Sequence, residues 1–295
     1  MTGMVVLRLF ILLTLSLGLI SCRNQTDTIV IDGSSTLHAL AETAVVNLVA
    51  KHRVSLTMSG SGTGIDRLCR GDATIALMSR PISSLEERRC AEANLELLIF
   101  PIARDEVAFV VPRANDWLHS VSLEEVSSIW GSDFIKRWSD LRPTYPDSQI
   151  HRFAPGISSG TRLVALKAIF GPTYQENSIQ SLTNVMAEDD YILATHLART
   201  NNGIGILPGV YATHFKSELR RLKVTNFDNA QSSLERVLSI VVDRDTISRK
   251  EVMNVVDILF NAERTYGLKL GYLPLKPDEQ ALRQRLVDEV RPNEE

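Results

Sequence analysis

The stretch Ile150-His151-Arg152-Phe153-Ala154-Pro155-Gly156-Ile157-Ser158-Ser159-Gly160-Thr161-Arg162-Leu163-Val164-Ala165-Leu166-Lys167-Ala168-Ile169-Phe170 changes character twice. Its first four residues look like the end of a strand, and the middle is Pro, Gly and Ser, the residues of turns. From Arg162 onward, Leu163, Leu166 and Phe170 recur at helical spacing, and Gly171-Pro172 stops the run. The segment reads as strand, small-residue loop, helix. The first turn of a helix has N–H groups without intrahelical acceptors and carries a partial positive charge. Glycine lets a ligand approach that backbone, and Ser and Thr add hydroxyl donors. This is the chemistry of an anion cradle. The same residue types also serve a plainly capped helix after a turn.

Two further copies favour the cradle. Ile29-Val30-Ile31 runs into Asp32-Gly33-Ser34-Ser35-Thr36 and then a helix with Leu37, Leu40, Ala41, Ala44, Val45 and Leu48 on one face. Val54-Ser55-Leu56-Thr57-Met58 runs into Ser59-Gly60-Ser61-Gly62-Thr63-Gly64, followed by Ile65 and Leu68. Three such units, each with Ser and Thr at the helix start, imply that several helix N-termini converge on one anion.

Outward from these units, the apolar periodicity predicts alternating strands and helices. The strands are Thr28 to Ile31, Val54 to Met58, Thr74 to Met78, Leu97 to Phe100, Glu106 to Val111, Ile204 to Leu207 and Leu238 to Val242. The helices run from about Leu37 to Lys51, Ile65 to Arg70, up to Ala93 behind a Ser84/Glu87 capping box, from Ser122 onward, from about Glu188 to Arg199, and from Ser248 to Phe260. Trp138 to Ser148 reads as a loop, and no repeat of fixed period is visible. Such alternation implies an α/β protein with a parallel sheet covered by helices.

A chain of 295 residues makes one large or two medium domains. With 44% apolar and 23% charged residues, the composition is that of an ordinary globular protein. A net charge of −3 argues against nucleic acid or an anionic membrane surface as partner. An anion site must therefore be local, built from dipoles and hydroxyls. No Cys/His spacing fits a zinc site, and no metal or cofactor is expected.

Arg8 precedes the apolar run Leu9 to Ile20, which is too short for a comfortable membrane span and fits a secretory leader. Its ending, Leu19-Ile20-Ser21-Cys22, resembles a bacterial lipobox, in which Cys22 becomes the lipidated first residue. A plain leader or a short anchor is the alternative. Export leaves Cys69 and Cys90 as an even pair in an oxidising compartment, which predicts a disulfide; two buried free thiols are the alternative.

A different chemistry is also written here. Gly156-Ile157-Ser158-Ser159-Gly160 is a literal Gly-x-Ser-x-Gly between strand and helix, as in the nucleophile elbow of α/β-hydrolases. Ser158 would be the nucleophile of a serine hydrolase, with Asp189 or Asp190 and then His196 or His214 completing it. That reading leaves the other two cradles unexplained.

The order of motifs, taken together, resembles the phosphate-binding proteins of bacterial ABC transporters. It comprises Gly33-Ser34-Ser35-Thr36, Ser59 to Gly64, Gly71-Asp72 to Ser79-Arg80-Pro81, Trp138-Ser139-Asp140-Leu141, Ser159-Gly160-Thr161, Gly203-Ile204-Gly205-Ile206 and Gly271-Tyr272-Leu273-Pro274-Leu275. The likeness spans about Thr28 to Pro277, and Pro155-Gly156-x-x-Ser159-Gly160-Thr161 with the Cys69/Cys90 spacing is similar to the branch found in cyanobacteria and some other bacteria. The resemblance implies a two-lobed type II periplasmic-binding-protein fold with a ligand cleft between lobes that close on a hinge. The crossings are expected near Ala103-Arg104-Asp105 and Val241-Val242-Asp243. After a leader at 1–22, lobe one would then hold 23–104 plus 243–295, and lobe two 105–242.

Carried over position by position, the resemblance implies phosphate ligands at Thr36 and Leu37, at Ser61, and at Ser159, Gly160 and Thr161. The family's acceptor Asp after the third strand is replaced here by Arg80, and its Arg four residues before Ser159 by Pro155. Arg152 and Arg162 are near but out of register, so Arg80 is the expected charge partner. The expected protein is a monomeric, non-enzymatic carrier. It would be periplasmic, held to the membrane by its lipid anchor alone, and would pass inorganic phosphate to a permease driven by a separate ATPase. Another oxyanion such as sulfate is the alternative cargo.

Overall fold

The structure, a computed structural model, describes residues 28–46, 53–132, 134–172, 174, 184–226 and 234–291. The expected leader and Cys22 lie outside the described residues. The chain begins its fold with β1 (Ile29–Gly33), whose Ile29 and Ile31 are buried. Parallel neighbours β2 (Val54–Leu56) and β3 (Ile75–Met78) flank it. Next comes β4 (Leu97–Pro112), a single strand of 16 residues where the sequence suggested two. It is followed by β5 (Ser120–Ser122), β6 (His151–Pro155), β7 (Val185–Ala187), β8 (Gly203–Pro208), β9 (Leu219–Arg221), β10 (Lys223–Thr225) and β11 (Glu235–Asp243).

The strand order gives two lobes of the same design. In the first, β2-β1-β3-β11-β4, strands β1, β2 and β3 are parallel, and β11 and β4 run antiparallel to their neighbours. In the second, β7-β6-β8-β4-β9, the pattern repeats with β6 in the place of β1. Strand β4 belongs to both. Up to Glu106 it pairs with β11, and from Val107 with β8 and β9. This is a two-lobed α/β fold hung on a shared strand.

The return crossing lies earlier than the sequence suggested. Ser239, Ile240 and Val241 pair with Met78, Leu77 and Ala76 inside the first sheet, and Glu235 already sits opposite Glu106. The chain has therefore rejoined lobe one by Glu235, not at Val241 to Asp243. The apolar run Val237 to Val242 looks the same whichever sheet it enters, so the sequence could not mark the boundary.

Helices cover the sheets. A 3-10 turn (Ser35–Leu37) leads into α1 (His38–Val46), and α2 (Ser61–Cys69) and α3 (Ser84–Glu92) complete the first half. The capping box of α3 is Ser83/Glu86, one residue before the expected pair. The second lobe carries α4 (Leu123–Gly131), capped by Ser122, then α5 (Trp138–Leu141), α6 (Gly160–Phe170), α7 (Asp190–Ala198) and α8 (Gly209–His214). Helices α9 (Arg244–Ile247), α10 (Lys250–Leu270) and α11 (Pro277–Val290) return to lobe one. Gly271 caps α10 at φ 99°, a left-handed position that favours glycine.

The lobe cores are separate. Ile31, Leu40, Phe100, Ile240, Val256 and Leu259 fill one; Phe109, Trp130, Trp138, Ile150, Leu166 and Ile204 fill the other. On the other face of the first sheet, Cys69 at the end of α2 is bridged to Cys90 in α3, with Cα atoms 4.6 Å apart. The bridge is expected to leave no alkylatable thiol at Cys69 or Cys90 in the native exported protein, as mass spectrometry without reductant will read. Its reduction should lower stability by about 3 kcal/mol, seen as a lower melting temperature.

Candidate functional site

Three helix starts come together where the lobes meet. Two belong to lobe one: the turn at Ser35 after β1, and Ser61 at the head of α2. The third, Gly160 at the head of α6, belongs to lobe two and follows β6, the counterpart of β1. Each loop is bent by its own side chains. The Ser34 hydroxyl accepts from Thr36 N, and Ser159 Oγ accepts from the N–H groups of Thr161 and Arg162. Asp32 ties the first two loops together: it accepts from Gly33 N at 2.7 Å and from Ser59 N and Oγ at 3.1 and 2.8 Å, and it pairs with Arg67. Burial pushes the Asp32 carboxyl up, but hydrogen bonds from Ser59, Thr57, Arg67 and Gly33 outweigh it and hold the group below the usual carboxylate range.

The hydroxyls form a continuous chain across the cleft. Thr36 Oγ1 lies 3.3 Å from Thr161 Oγ1 of the other lobe. Ser61 Oγ lies 3.1 Å from Ser79 Oγ and accepts from Ser79 N at 3.0 Å. Between them stands a cation that sequence reasoning missed. Arg236, near the start of β11, donates to Thr36 Oγ1 at 3.1 Å and to the Ser79 carbonyl at 3.2 Å. Its 2.8 Å partner is Asp105 of β4, directly opposite in the strand register. Both side chains are buried, at 2% and 1% exposure, and Arg236 Nε has no hydrogen-bond partner among the described residues.

A second shell of cross-lobe bonds surrounds this chain. Gly62 N donates to the Ser158 carbonyl at 2.9 Å, and Thr63 Oγ1 donates to Ser158 Oγ at 3.0 Å. Ser35 Oγ donates to Asp190 Oδ2 at 2.6 Å, and the Tyr211 hydroxyl donates to the Ser35 carbonyl at 3.1 Å. Tyr272, from the Gly-Tyr-Leu-Pro-Leu motif, donates to the Thr36 carbonyl at 2.6 Å. The first cradle is thus held from both lobes.

Of the residues expected in the site, Thr36, Ser61, Ser159, Gly160 and Thr161 all lie at this junction and are buried. The N–H groups of Thr36 and Leu37, expected as donors, are occupied by Ser34 Oγ and Ser34 O. Arg80 does not reach the hydroxyl chain. Its guanidinium clasps Glu86 at 2.8 and 2.6 Å and donates to the Pro81 carbonyl, because the Ser83/Glu86 capping box brings that carboxylate to it. Burial acts to raise the Glu86 carboxyl, yet bonds from Arg80 and Ser83 hold it below its ordinary range. Arg152 donates to the Ile129 and Ile135 carbonyls, and Arg162 reaches the Pro155 carbonyl; both are buried under lobe two.

The hydrolase constellation is not brought together. Ser158 Oγ is paired with Thr63, Asp189 caps α7, and Asp190 is bonded to Ser35. His214 stacks beside Tyr191 and Phe215. What the junction can do is surround a small anion with hydroxyls, helix starts and one guanidinium. An anion entering here exchanges neutral hydroxyl–hydroxyl bonds for charge-assisted ones, which are roughly twice as strong.

The comparisons agree with this architecture. Residues 23–247 match the PBP superfamily domain. Protein SphX of Synechocystis is 28% identical over 90% of this chain and 84% of its own length. Phosphate-binding protein PstS of Staphylococcus aureus is 25% identical over 76% of this chain and 70% of its own. Among solved structures, a phosphate-binding protein from Stenotrophomonas maltophilia superposes with a TM-score of 0.67 at 13% identity, over 88% of this chain and 93% of that one. An ABC-type phosphate transport receptor from Vibrio cholerae gives 0.58 at 22% identity, over 84% and 100%. These two structures share the fold.

Proposed function

The chain belongs to the PBP superfamily, and from that premise we propose that it is an extracytoplasmic solute-binding protein that captures inorganic phosphate and delivers it to an ABC transporter permease. The observation that carries this reading is the hydroxyl chain Thr161–Thr36–Arg236–Ser79–Ser61, formed where three helix starts of two lobes meet. Thr36, Ser61, Ser159, Gly160 and Thr161 are the proposed ligands, and Arg236 replaces Arg80 as the charge partner. The phosphate-binding names of its relatives support the choice of anion. The protein is a carrier rather than an enzyme, and it works as a monomer. Its lipobox-like Leu19-Ile20-Ser21-Cys22 supports export and a lipid anchor at Cys22. The energy source is a separate ATPase chain.

Calorimetry with phosphate, sulfate and molybdate at matched salt tests the cargo. Phosphate heat with little from sulfate is the expected result; tight sulfate binding without phosphate heat would sink the assignment. Thr161→Ala and Ser61→Ala each remove one hydroxyl donor to a charged acceptor and should weaken phosphate binding by about 1.5–3 kcal/mol. Arg80→Ala should leave affinity within about a factor of two and act instead on the α3 cap, lowering stability by about 0.5–2 kcal/mol.

A further inference from the structure

Asp190 is the first residue of α7 in lobe two, and its side chain is sealed under lobe one. One oxygen accepts the Ser35 hydroxyl at 2.6 Å; the other, Oδ1, is buried with no partner among the described residues. Ser35 is the residue that opens the first cradle, one position before Thr36. This side chain–side chain bond therefore joins the lobes beside the anion site, yet its acceptor is a carboxyl with only half of its bonding capacity met. An ionised carboxylate buried in that state is costly, and a neutral carboxyl much less so.

We propose that Asp190 is a proton-linked latch: closure of the lobes buries its carboxyl against Ser35 and takes up one proton, so that acidity favours the closed, anion-holding state. The latch rests on the proposed function for its anion, but not for its geometry.

The groups that face Asp190 set the direction. Arg236 on β11 draws the carboxyl toward ionisation, as does the Ser35 bond. Asp105 on β4 and Asp189 beside it oppose this, and Asp190 in turn raises Tyr211 of α8 and Tyr272. Burial dominates and pushes Asp190 up to about 7, well above the ordinary 3.8 of a solvent-exposed carboxyl. A cavity of about 370 Å³ at the same seam offers the proton a route; it is lined by His38 and Glu42 from lobe one and by Asp189, Tyr211 and His214 from lobe two.

The sign follows from linkage. The closed state binds a proton that the open state lacks, so closure is favoured below about pH 7, and that advantage is lost as pH rises through this value. Between pH 6 and pH 8 the term amounts to about tenfold in affinity.

Phosphate's own ionisation is common to all variants, so the test is a difference. Phosphate affinity of the full mature chain is measured from pH 5.5 to 8.5 for wild type, Asp190→Asn and Ser35→Ala. In parallel, the radius of gyration of each is measured without ligand by small-angle scattering. Wild type should lose about tenfold more affinity than Asp190→Asn between pH 6 and pH 8, and should expand over the same range while Asp190→Asn does not. Ser35→Ala keeps the carboxyl but removes the bond that favours its ionised form, so its step should move to higher pH.

Parallel profiles in wild type and Asp190→Asn overturn the latch. A wild-type step in Ser35→Ala overturns it independently, should the Asn variant not fold. If no variant binds phosphate, the anion assignment fails and scattering alone decides the latch: expansion confined to wild type retains it, and a pH-independent radius removes it.

Discussion

Arg236→Gln is expected to bring phosphate binding below detection in a titration that sees wild type easily, and to destabilise the protein as well. Two effects of different origin coincide. Arg236 is the one guanidinium bonded into the hydroxyl chain, and hydrogen bonds from a charged donor are worth about 1.5–3 kcal/mol each, so the loss of two costs on the order of a thousandfold or more. The same change leaves Asp105 buried, with its charge opposed only by the Val210 N–H at 3.2 Å. Removing one partner of a buried pair costs about 3–5 kcal/mol. The double variant Arg236→Gln/Asp105→Asn separates the two effects. It should recover most of the thermal stability, because no charge is left stranded, and should still fail to bind phosphate. If the double variant binds like wild type, Arg236 serves only to neutralise Asp105, and the anion is held by hydroxyls and helix starts alone.

The contrast between Arg236 and Arg80 shows what this sequence does and does not disclose. Thr36, Ser61, Ser159 and Thr161 were legible because a hydroxyl residue at the start of a helix is a local pattern, and all four meet at the junction. Arg236 was not, because its meaning depends on Asp105, 131 residues away, and only the register of β4 against β11 sets them opposite. An Arg at a strand end is otherwise unremarked. Arg80 was misread although its partner is six residues on: moving the capping box back one residue, to Ser83/Glu86, puts a carboxylate within its reach. The lobe order was implied by strand–helix alternation, whereas the return crossing at Glu235 was hidden in a run of apolar strand residues. The equivalence of β1 and β6 leaves no repeat in the sequence, because it is an equivalence of strand order and pairing direction and not of side chains. It is this equivalence that sets Thr36 and Thr161 face to face.

Gly160→Ala is expected to weaken phosphate binding while leaving the fold as stable as wild type or more so. A Cβ at position 160 would stand 2.5 Å from Ser79 Oγ and 2.9–3.0 Å from the Ser79 carbonyl group. Ser79 has little room to retreat, since Ser61 holds its N–H and Arg236 its carbonyl. Gly160 belongs to lobe two and Ser79 to lobe one, so the cheapest relief is to part the lobes, not to distort either core. Overpacking of this kind costs about 1–3 kcal/mol, which corresponds to roughly 5- to 150-fold in affinity when it opposes closure. Gly160 is the first residue of α6 and carries no positive φ, so alanine suits the helix and removes freedom from the unfolded chain, a gain of about 0.4–1 kcal/mol. Affinity and stability should therefore move in opposite directions, a combination that a general packing defect does not produce. Calorimetry, a melting curve and a scattering radius on the same sample read all three quantities. Wild-type affinity in Gly160→Ala, with an unchanged radius, would mean that the lobes hold the anion without bringing Gly160 against Ser79, and that the junction described here is tighter than the state that binds.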